Sequence, residues 1–457
     1  MKFSIKHTAI VALALTAATS WAQDTRSGYF MPDYTYRFAM NPAFENSRGF
    51  IAMPALGNMN VAMHGTLAVS DVIYNVNGRT TTFLNPGVST QEVLGNLSDN
   101  NRIGTDIKLT LLAAGFKAWG GYNTIAVNAR TSVGVSVPRS LFSLLKEGVE
   151  NKTYDISDVR ARANAYAEIA LGHSHRINDK WRVGASMKIL LGGAFAEANF
   201  NRAHLTLGTN DWSIVSNAEI QASVKGLTYD TDINDDTQHR YVSGADVNGT
   251  GLNGFGMAFD FGATYKPAND WTISAAILDL GFINWNNNMV ASTNGDQKFN
   301  TDRYTFPVND DPDKGPTFDD EWDKMKNSLS ALYELNDMGD TGSKSRTLGA
   351  TMNIGVEYTL PVYRKLTFGL LNTTRIEGDY SWTDFRLSAN IAPVKCFDAS
   401  VNMAAGTFGV GFGWLLNFHT KGFNMFLGMD HTLGKVTKEF VPLSSNASVN
   451  FGLNFPF

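Results

Sequence analysis

The sequence predicts an all-β protein, a transmembrane antiparallel β-barrel. Three features predict it: an alternating carboxy-terminal strand, period-2 segments of membrane-crossing length, and an amino-terminal export signal. At the carboxy-terminal end Ala447, Val449, Phe451, Leu453, Phe455 and Phe457 take every second position, with Ser448, Asn450, Gly452 and Asn454 between them. Side chains alternate faces along a strand, so one face is wholly apolar and the other polar. An apolar face that ends on an aromatic residue suits a barrel-insertion strand. That role falls to Val449, Phe451, Leu453, Phe455 and Phe457.

The same period runs through the chain. Trp181, Val183, Ala185, Met187, Ile189 and Leu191 alternate with Arg182, Gly184, Ser186, Lys188, Leu190 and Gly192. Ile354, Val356, Tyr358 and Leu360 oppose Asn353, Gly355, Glu357 and Thr359. Phe385, Leu387, Ala389 and Ile391 alternate with Arg386, Ser388, Asn390 and Ala392, and Phe397, Ala399, Val401 and Met403 with Asp398, Ser400 and Asn402. These segments exceed the five or six residues usual in soluble sheets and suit a tilted membrane strand of about 9–11 residues.

Tight polar turns punctuate them. The stretch from Gly172 to Ala185 resembles that from Gly262 to Ala275, and looser copies run from Gly355 to Leu370 and from Ser388 to Met403. Trp181 and Trp271 open strands after such turns, where an interfacial aromatic girdle is expected. Placing the short turns on the periplasmic side puts the longer connections, at roughly 70–106, 136–157, 224–253, 285–345 and 431–446, on the external side. A direct count gives about sixteen strands, starting near Asn58. The hairpin around 198–223, with Arg202, His204 and Asp211, suits an external protrusion as well as a wall; without it there are fourteen strands, the preferred number, with sixteen the alternative.

The amino terminus reads as a signal peptide. Lys2, Lys6 and His7 precede an apolar run from Thr8 to Ala18, and Ser20-Trp21-Ala22 supplies small residues for cleavage before Gln23. The run is short of the roughly 20 residues that span a bilayer as a helix. The expected organisation is therefore a signal peptide at 1–22, a plug or periplasmic segment at 23–57, and the barrel at 58–457. A mean hydropathy of −0.16 is compatible with this, because only alternate residues of a barrel strand face lipid. The net charge of −5 argues against nucleic-acid binding. Cys396 is the only cysteine, so no intramolecular disulfide or thiolate metal cluster can form.

Three external segments carry helical signals. Ser89 to Glu92 can cap a helix, Leu141, Leu144 and Leu145 follow Pro138, and Trp322, Met325, Leu329 and Leu332 stripe the stretch Thr317 to Leu335. Asp319, Asp320 and Glu321 suit the positive amino end of that last helix. These helices are expected to fold over the rim.

Enzyme motifs are lacking: there is no HExxH, GxSxG or phosphate-loop pattern. Alternation separates Ser174 from His173 and His175, which argues against a nucleophile pair. Asp230 to Tyr241 departs from a calcium loop at its sixth and twelfth positions, and Asp310, Asp311 and Asp313 read as a solvated loop tip. No catalytic residue, metal ligand or cofactor is expected. The inward faces instead hold Arg182, Lys188, Glu357, Asp384, Arg386, Asn390, Asp398, Asn402 and Asn424, either a bracing polar network or the lining of a path. Gly409, Gly411 and Gly413 leave an inward wall without side chains, to which a plug could pack.

The stretch Tyr36 to Phe44 carries Asn41-Pro42-Ala43, an element that resembles one near the mature amino terminus of the long-chain fatty-acid transporter family. In that family the preceding segment forms a plug in a fourteen-stranded barrel. The resemblance implies plug-turn roles for Asn41, Pro42 and Ala43 and carries over no substrate. With Asn58 to Ala62, Ser70 to Tyr74 and Asn100 to Ile103, nearly the whole mature chain also resembles an uncharacterised family of Bacteroidota outer-membrane proteins. The expectation is an outer-membrane barrel for passive uptake or passage of small apolar or amphipathic molecules. Its partners would be outer-membrane lipid, the barrel-assembly machinery and a small hydrophobic ligand. The alternative is a non-transporting scaffold or binding partner in surface assembly or protein secretion.

Overall fold

In the computed structural model, residues 24–457 are described apart from 149, 209–210, 236–237, 294, 305–315 and 432–445. The expected signal peptide and Asp310, Asp311 and Asp313 lie outside the described residues. Fourteen antiparallel strands close into a barrel. In chain order they are β1 (Phe50–Ala52 continued by Asn58–Gly65), β2 (Asn100–Ala118), β3 (Gly121–Pro138), β4 (Arg160–Arg176) and β5 (Trp181–Leu207). Then come β6 (Gly254–Ala268), β7 (Trp271–Trp285), β8 (Lys344–Thr347 continued by Ala350–Thr359), β9 (Leu366–Ile376) and β10 (Trp382–Val394). The last four are β11 (Phe397–Gly406), β12 (Gly409–His419), β13 (Asn424–Met429) and β14 (Ala447–Pro456). Closure is made by β14 against β1, with Met59 opposite Phe451 and Val61 opposite Val449.

The wall begins earlier than Asn58. Ile51 already pairs with Phe455 of β14 and Ala114 of β2. Residues 53–57 then bulge out of β1, where Pro54 and Gly57 hide a continuous strand behind turn signals. The bulge keeps its ladder contact, because Ala55 N donates to Leu111 O at 3.0 Å. Leu111 is itself the extra residue of a bulge in β2.

The 198–223 hairpin lies outside the wall. The lower half of β5, Trp181 to Gly192, pairs with β6, whereas Ala194 to Leu207 pairs with a separate strand, Trp212–Val224. That strand also pairs with Met289–Ser292 and Gln297–Asn300, so a β-platform projects beyond one end of the barrel. The expected long connections share this loop end, and two short ones at 377–381 and 407–408 join them. The opposite, short-turn end carries the tight turns at 177–180, 269–270 and 360–365.

Among the described residues three α-helices lie at the loop end: α1 (Thr90–Gly95), α2 (Arg139–Glu147) and α3 (Phe318–Ser330). Ser89 caps α1 by accepting from Glu92 N at 3.1 Å. Phe83, Val88, Val93, Leu97 and Phe142 bury a small core between α1 and α2. Thr317 and Asp320 close a capping box on α3. That helix stops at Ser330, before Leu332, and its buried residues are Glu321 and Ser330, while Trp322 is exposed. The apolar stripe read from the sequence is therefore not its buried face. No helix among the described residues is long and apolar enough to cross a membrane.

Outward-pointing wall residues are apolar, as Phe255, Met257, Phe259, Leu387, Val401 and Phe412 illustrate. Trp181 stacks on Tyr265 with ring centres 4.5 Å apart and Trp271 lies 4.8 Å from Tyr358, forming an aromatic belt near the short turns. Val401 sits mid-strand on this band. Val401→Arg is expected to destabilise the lipid-embedded barrel by about 2–4 kcal/mol, and Val362→Arg, in a short turn, by about 0–1 kcal/mol. Urea unfolding in lipid vesicles measures both; equal effects would contradict a membrane band at that height.

Candidate functional site

Residues 24–49 fill the short-turn half of the barrel. Pro32, Pro42 and Asn41 keep this segment out of the ladder, and it coils through two 3₁₀ turns, Arg26–Gly28 and Thr35–Ala39. Its rings make the main core of the molecule. Tyr29, Phe30, Tyr34, Tyr36 and Phe44 pack on Phe50, Leu371, Leu415 and Phe426 of the wall. Tyr29 meets Phe30 and Phe44 edge-on at 4.9 and 5.1 Å. Each fully buried ring contributes roughly 1.5–3 kcal/mol of apolar transfer.

Wall glycines make room for the plug. A Cβ on Gly184 of β5 would lie 2.1 Å from Pro42 O, and one on Gly262 of β6 would lie 2.1 Å from Asn41 Oδ1. Gly369 of β9 accommodates the Phe30 ring in the same way. The glycines singled out in β12 serve another segment: Gly411 faces His431 and Gly413 faces Asp430. The wall there is thus filled by the residues that follow β13 rather than by the plug.

Asn41, Pro42 and Ala43 form a buried turn of the plug. Asn41 Oδ1 accepts from Ala43 N at 2.9 Å, and its Nδ2 donates to Ala275 O at 3.2 Å. Met40 O accepts from Asn353 Nδ2 at 2.9 Å, and Ala43 O accepts from Ser174 Oγ at 2.9 Å. Ser174 is thereby spent on the plug, while His173 Nδ1 lies 2.9 Å from Asn123 Oδ1 on the other face.

The amino end of the plug is clamped by charge. Asp430 Oδ1 accepts from Ser27 N and Ser27 Oγ, both at 2.7 Å. Its Oδ2 accepts from Arg26 N at 2.9 Å and Arg26 Nε at 3.2 Å. Arg26 Nη1 also pairs with Asp384 at 2.9 Å, and Arg386 bonds Asp384, Asn402 and Asp430 O. Further along, Lys108 holds Asp24 at 2.7 Å and Arg182 holds Glu45 at 2.6 Å.

All nine inward-facing candidates lie on the inner side of the wall, with Asn390 bonded to Ser388 and Asn424 at the short-turn mouth. Arg182, Asp384 and Arg386 take part in holding the plug, with Asn402 behind Arg386. Asp398 accepts from Asn417 Nδ2 at 3.3 Å, and Glu357 faces the plug's Arg37. Lys188 bridges Asp260 and Asp279, each at 2.7 Å. A bulge in β7 makes this possible: Asp279 adopts a φ of 59°, and its N–H bonds Asp260 Oδ1 at 2.7 Å.

None of the nine lines the large cavity. This vestibule, of about 510 Å³, opens at the loop end. It shares Arg130 and Arg375 with a cavity of about 60 Å³ bounded below by the plug's Asp24, Arg26 and Met40. Four guanidinium groups face the vestibule, from Arg130, Arg162, Arg346 and Arg375. Arg162 pairs with Glu377 at 2.5 Å, Arg375 shares the same Glu377, and Arg346 pairs with Glu197. Arg162 Nε, Arg346 Nε and Asn164 Oδ1 keep no hydrogen-bond partner among the described residues. Tyr166, Phe195, Ile283, Trp285 and Leu348 supply apolar surface beside them. Alternation could have reached Arg130, since Thr124, Ala126, Asn128 and Arg130 share the inner face of β3; Arg346 lies just past the connection read at 285–345 and ahead of the alternation that starts at Asn353.

The chain matches, over residues 42–430, the family described as a family of unknown function, DUF5723. It belongs to this family. No curated protein matches in sequence. Among solved structures, the DUF5723 chain is similar to the Pseudomonas putida toluene transporter TodX, at 8% identity over 91% of this chain and 92% of that one, with a TM-score of 0.41. The Ralstonia pickettii toluene transporter TbuX aligns at 8% identity over 93% and 94%, with a TM-score of 0.42. A Pseudomonas aeruginosa FadL homologue aligns at 11% identity over 96% and 99%, with a TM-score of 0.37.

Proposed function

We propose that this DUF5723 barrel resides in the outer membrane and passively admits small amphipathic molecules. The observation that supports this most is the vestibule seated over a plug. It offers apolar surface from Phe195, Trp285 and Leu348 opposite guanidinium groups with spare donors. Its volume of about 510 Å³ lies in the range of small-molecule sites, about 300–1,000 Å³. Below it the gaps beside the plug shrink to about 60 and 30 Å³, too small for such a ligand. Passage therefore requires the plug to shift or the ligand to leave through the wall. In this reading the short-turn end is periplasmic, and β14, with Val449, Phe451, Leu453 and Phe455 on one face, presents the strand that barrel-assembly machinery reads.

Proteoliposomes test the proposal. Octanoate and an aromatic carboxylate should enter faster than glucose, and Trp285→Ala with Arg346→Ala should abolish the difference. Identical entry with and without protein across this panel would overturn it. The β-platform beyond the barrel supports a second reading, a scaffold that binds a surface partner. A sealed wild-type barrel that co-purifies with one protein, and loses it when 194–224 is shortened, would favour that reading.

A further inference from the structure

We propose that Asp33, Asp398 and His419 form a divalent transition-metal site that ties the plug to the wall at the short-turn end. Asp33 follows Pro32 in the plug, Asp398 lies on β11 and His419 ends β12. The pairing of Asp398 with Asn417 brings the two wall residues to the same height. Three donor atoms, one per residue, lie within 4.8 Å of one another. His419 Nε2 is 3.3 Å from Asp398 Oδ2 and 3.9 Å from Asp33 Oδ2. A tetrahedral ion with bonds of about 2.0–2.1 Å holds its ligands about 3.3–3.4 Å apart. The first separation already meets that value; the second, and the Asp33–Asp398 separation of at most 4.8 Å, require Asp33 to move inward from the plug.

An independent observation points the same way. Asp398 is only 3% exposed, yet its Oδ1 has no hydrogen-bond partner among the described residues. Its Oδ2 meets Asn417 Nδ2 and His419, but a buried carboxylate oxygen left unpaired is unfavourable, and no Lys or Arg among the described residues pairs with this group. Asn424 Oδ1, on a side chain only 2% exposed, is a further unpartnered acceptor on the same mouth. A cavity of about 310 Å³ bordered by Asp33, His419 and Asn424 gives room for water as an added ligand. Arg48 and Lys395 stand at its rim, and Arg48 is engaged with Thr420 O at 3.2 Å. One imidazole and two carboxylates favour Zn²⁺, Co²⁺ or Mn²⁺ over Ca²⁺, which takes six to eight oxygen ligands. A metal held there would join the plug to two neighbouring strands.

The test is a Co²⁺ titration of the chelator-stripped full chain in detergent, followed by visible absorption, with Zn²⁺ as competitor. One Co²⁺ per chain is expected, with a nitrogen-ligated spectrum displaced by Zn²⁺. Asp33→Asn, Asp398→Asn and His419→Ala should each weaken binding at least tenfold, with folding checked by heat-modifiable gel migration. Zn²⁺ should also raise the thermal midpoint of the wild type and not of His419→Ala. No saturable binding, or less than a tenfold change in all three variants, overturns the site.

Discussion

Asp430→Ala is expected to destabilise the folded barrel by about 3–5 kcal/mol, the loss typical when one partner of a buried charge pair is removed. The carboxylate takes four hydrogen bonds from Arg26 and Ser27, and its side chain is 4% exposed. Its removal leaves the Arg26 guanidinium with Asp384 as its remaining carboxylate and Ser27 N without an acceptor, while Ser27 Oγ keeps Met429 O at 3.0 Å. Urea unfolding in detergent, followed by tryptophan fluorescence and gel migration, measures the effect. Asp323→Ala, which breaks an exposed pair with Lys326, is the control and should change stability by less than about 1 kcal/mol. A similar small change for Asp430→Ala would show that the charge clamp does not hold the plug.

The second large effect is expected from filling the wall glycines. In the double variant Gly184→Val and Gly262→Val, new side chains would overlap Pro42 O and Asn41 Oδ1. The Pro42 and Ala43 contacts at Gly184 are backbone atoms that cannot rotate away. The plug turn must therefore leave its seat, while the strand pairing of β5 and β6 is kept. Planar-bilayer recordings should show conductance at least tenfold above the wild type. Gly95→Ala, with nothing within 4 Å of its new Cβ, should behave as the wild type. A closed, correctly folded double variant would mean that other contacts suffice to seat the plug.

Much of this was legible from alternation. The inward and outward faces of β5, β10, β11 and β14 follow directly from period 2, because one face meets lipid and the other meets polar side chains. Where both faces are polar the signal fails. Asn201, Arg202 and His204 continue β5 beyond its pairing with β4, and nothing local distinguishes that extension from a membrane strand. The early start of β1 was masked by Pro54 and Gly57, which read as a turn but form a bulge.

The site was less legible than the fold. Asn41-Pro42-Ala43 marked the plug, but its clamp depends on Arg26 meeting Asp430, a contact across nearly the whole chain. The guanidinium cluster comes from four different strands, β3, β4, β8 and β9, and the Asp33, Asp398 and His419 cluster joins the plug to β11 and β12. No spacing rule links such positions; only closure of the barrel brings them together.

The plug runs without a break into Phe50, the first wall residue. A cork dislodged from its seat therefore remains leashed to the rim it sealed. Over so short a leash its local concentration is on the order of millimolar, so re-entry is a first-order event indifferent to how many copies share the bilayer. Any opening of this kind would reset itself, with no energy source and no helper needed to restore the seal.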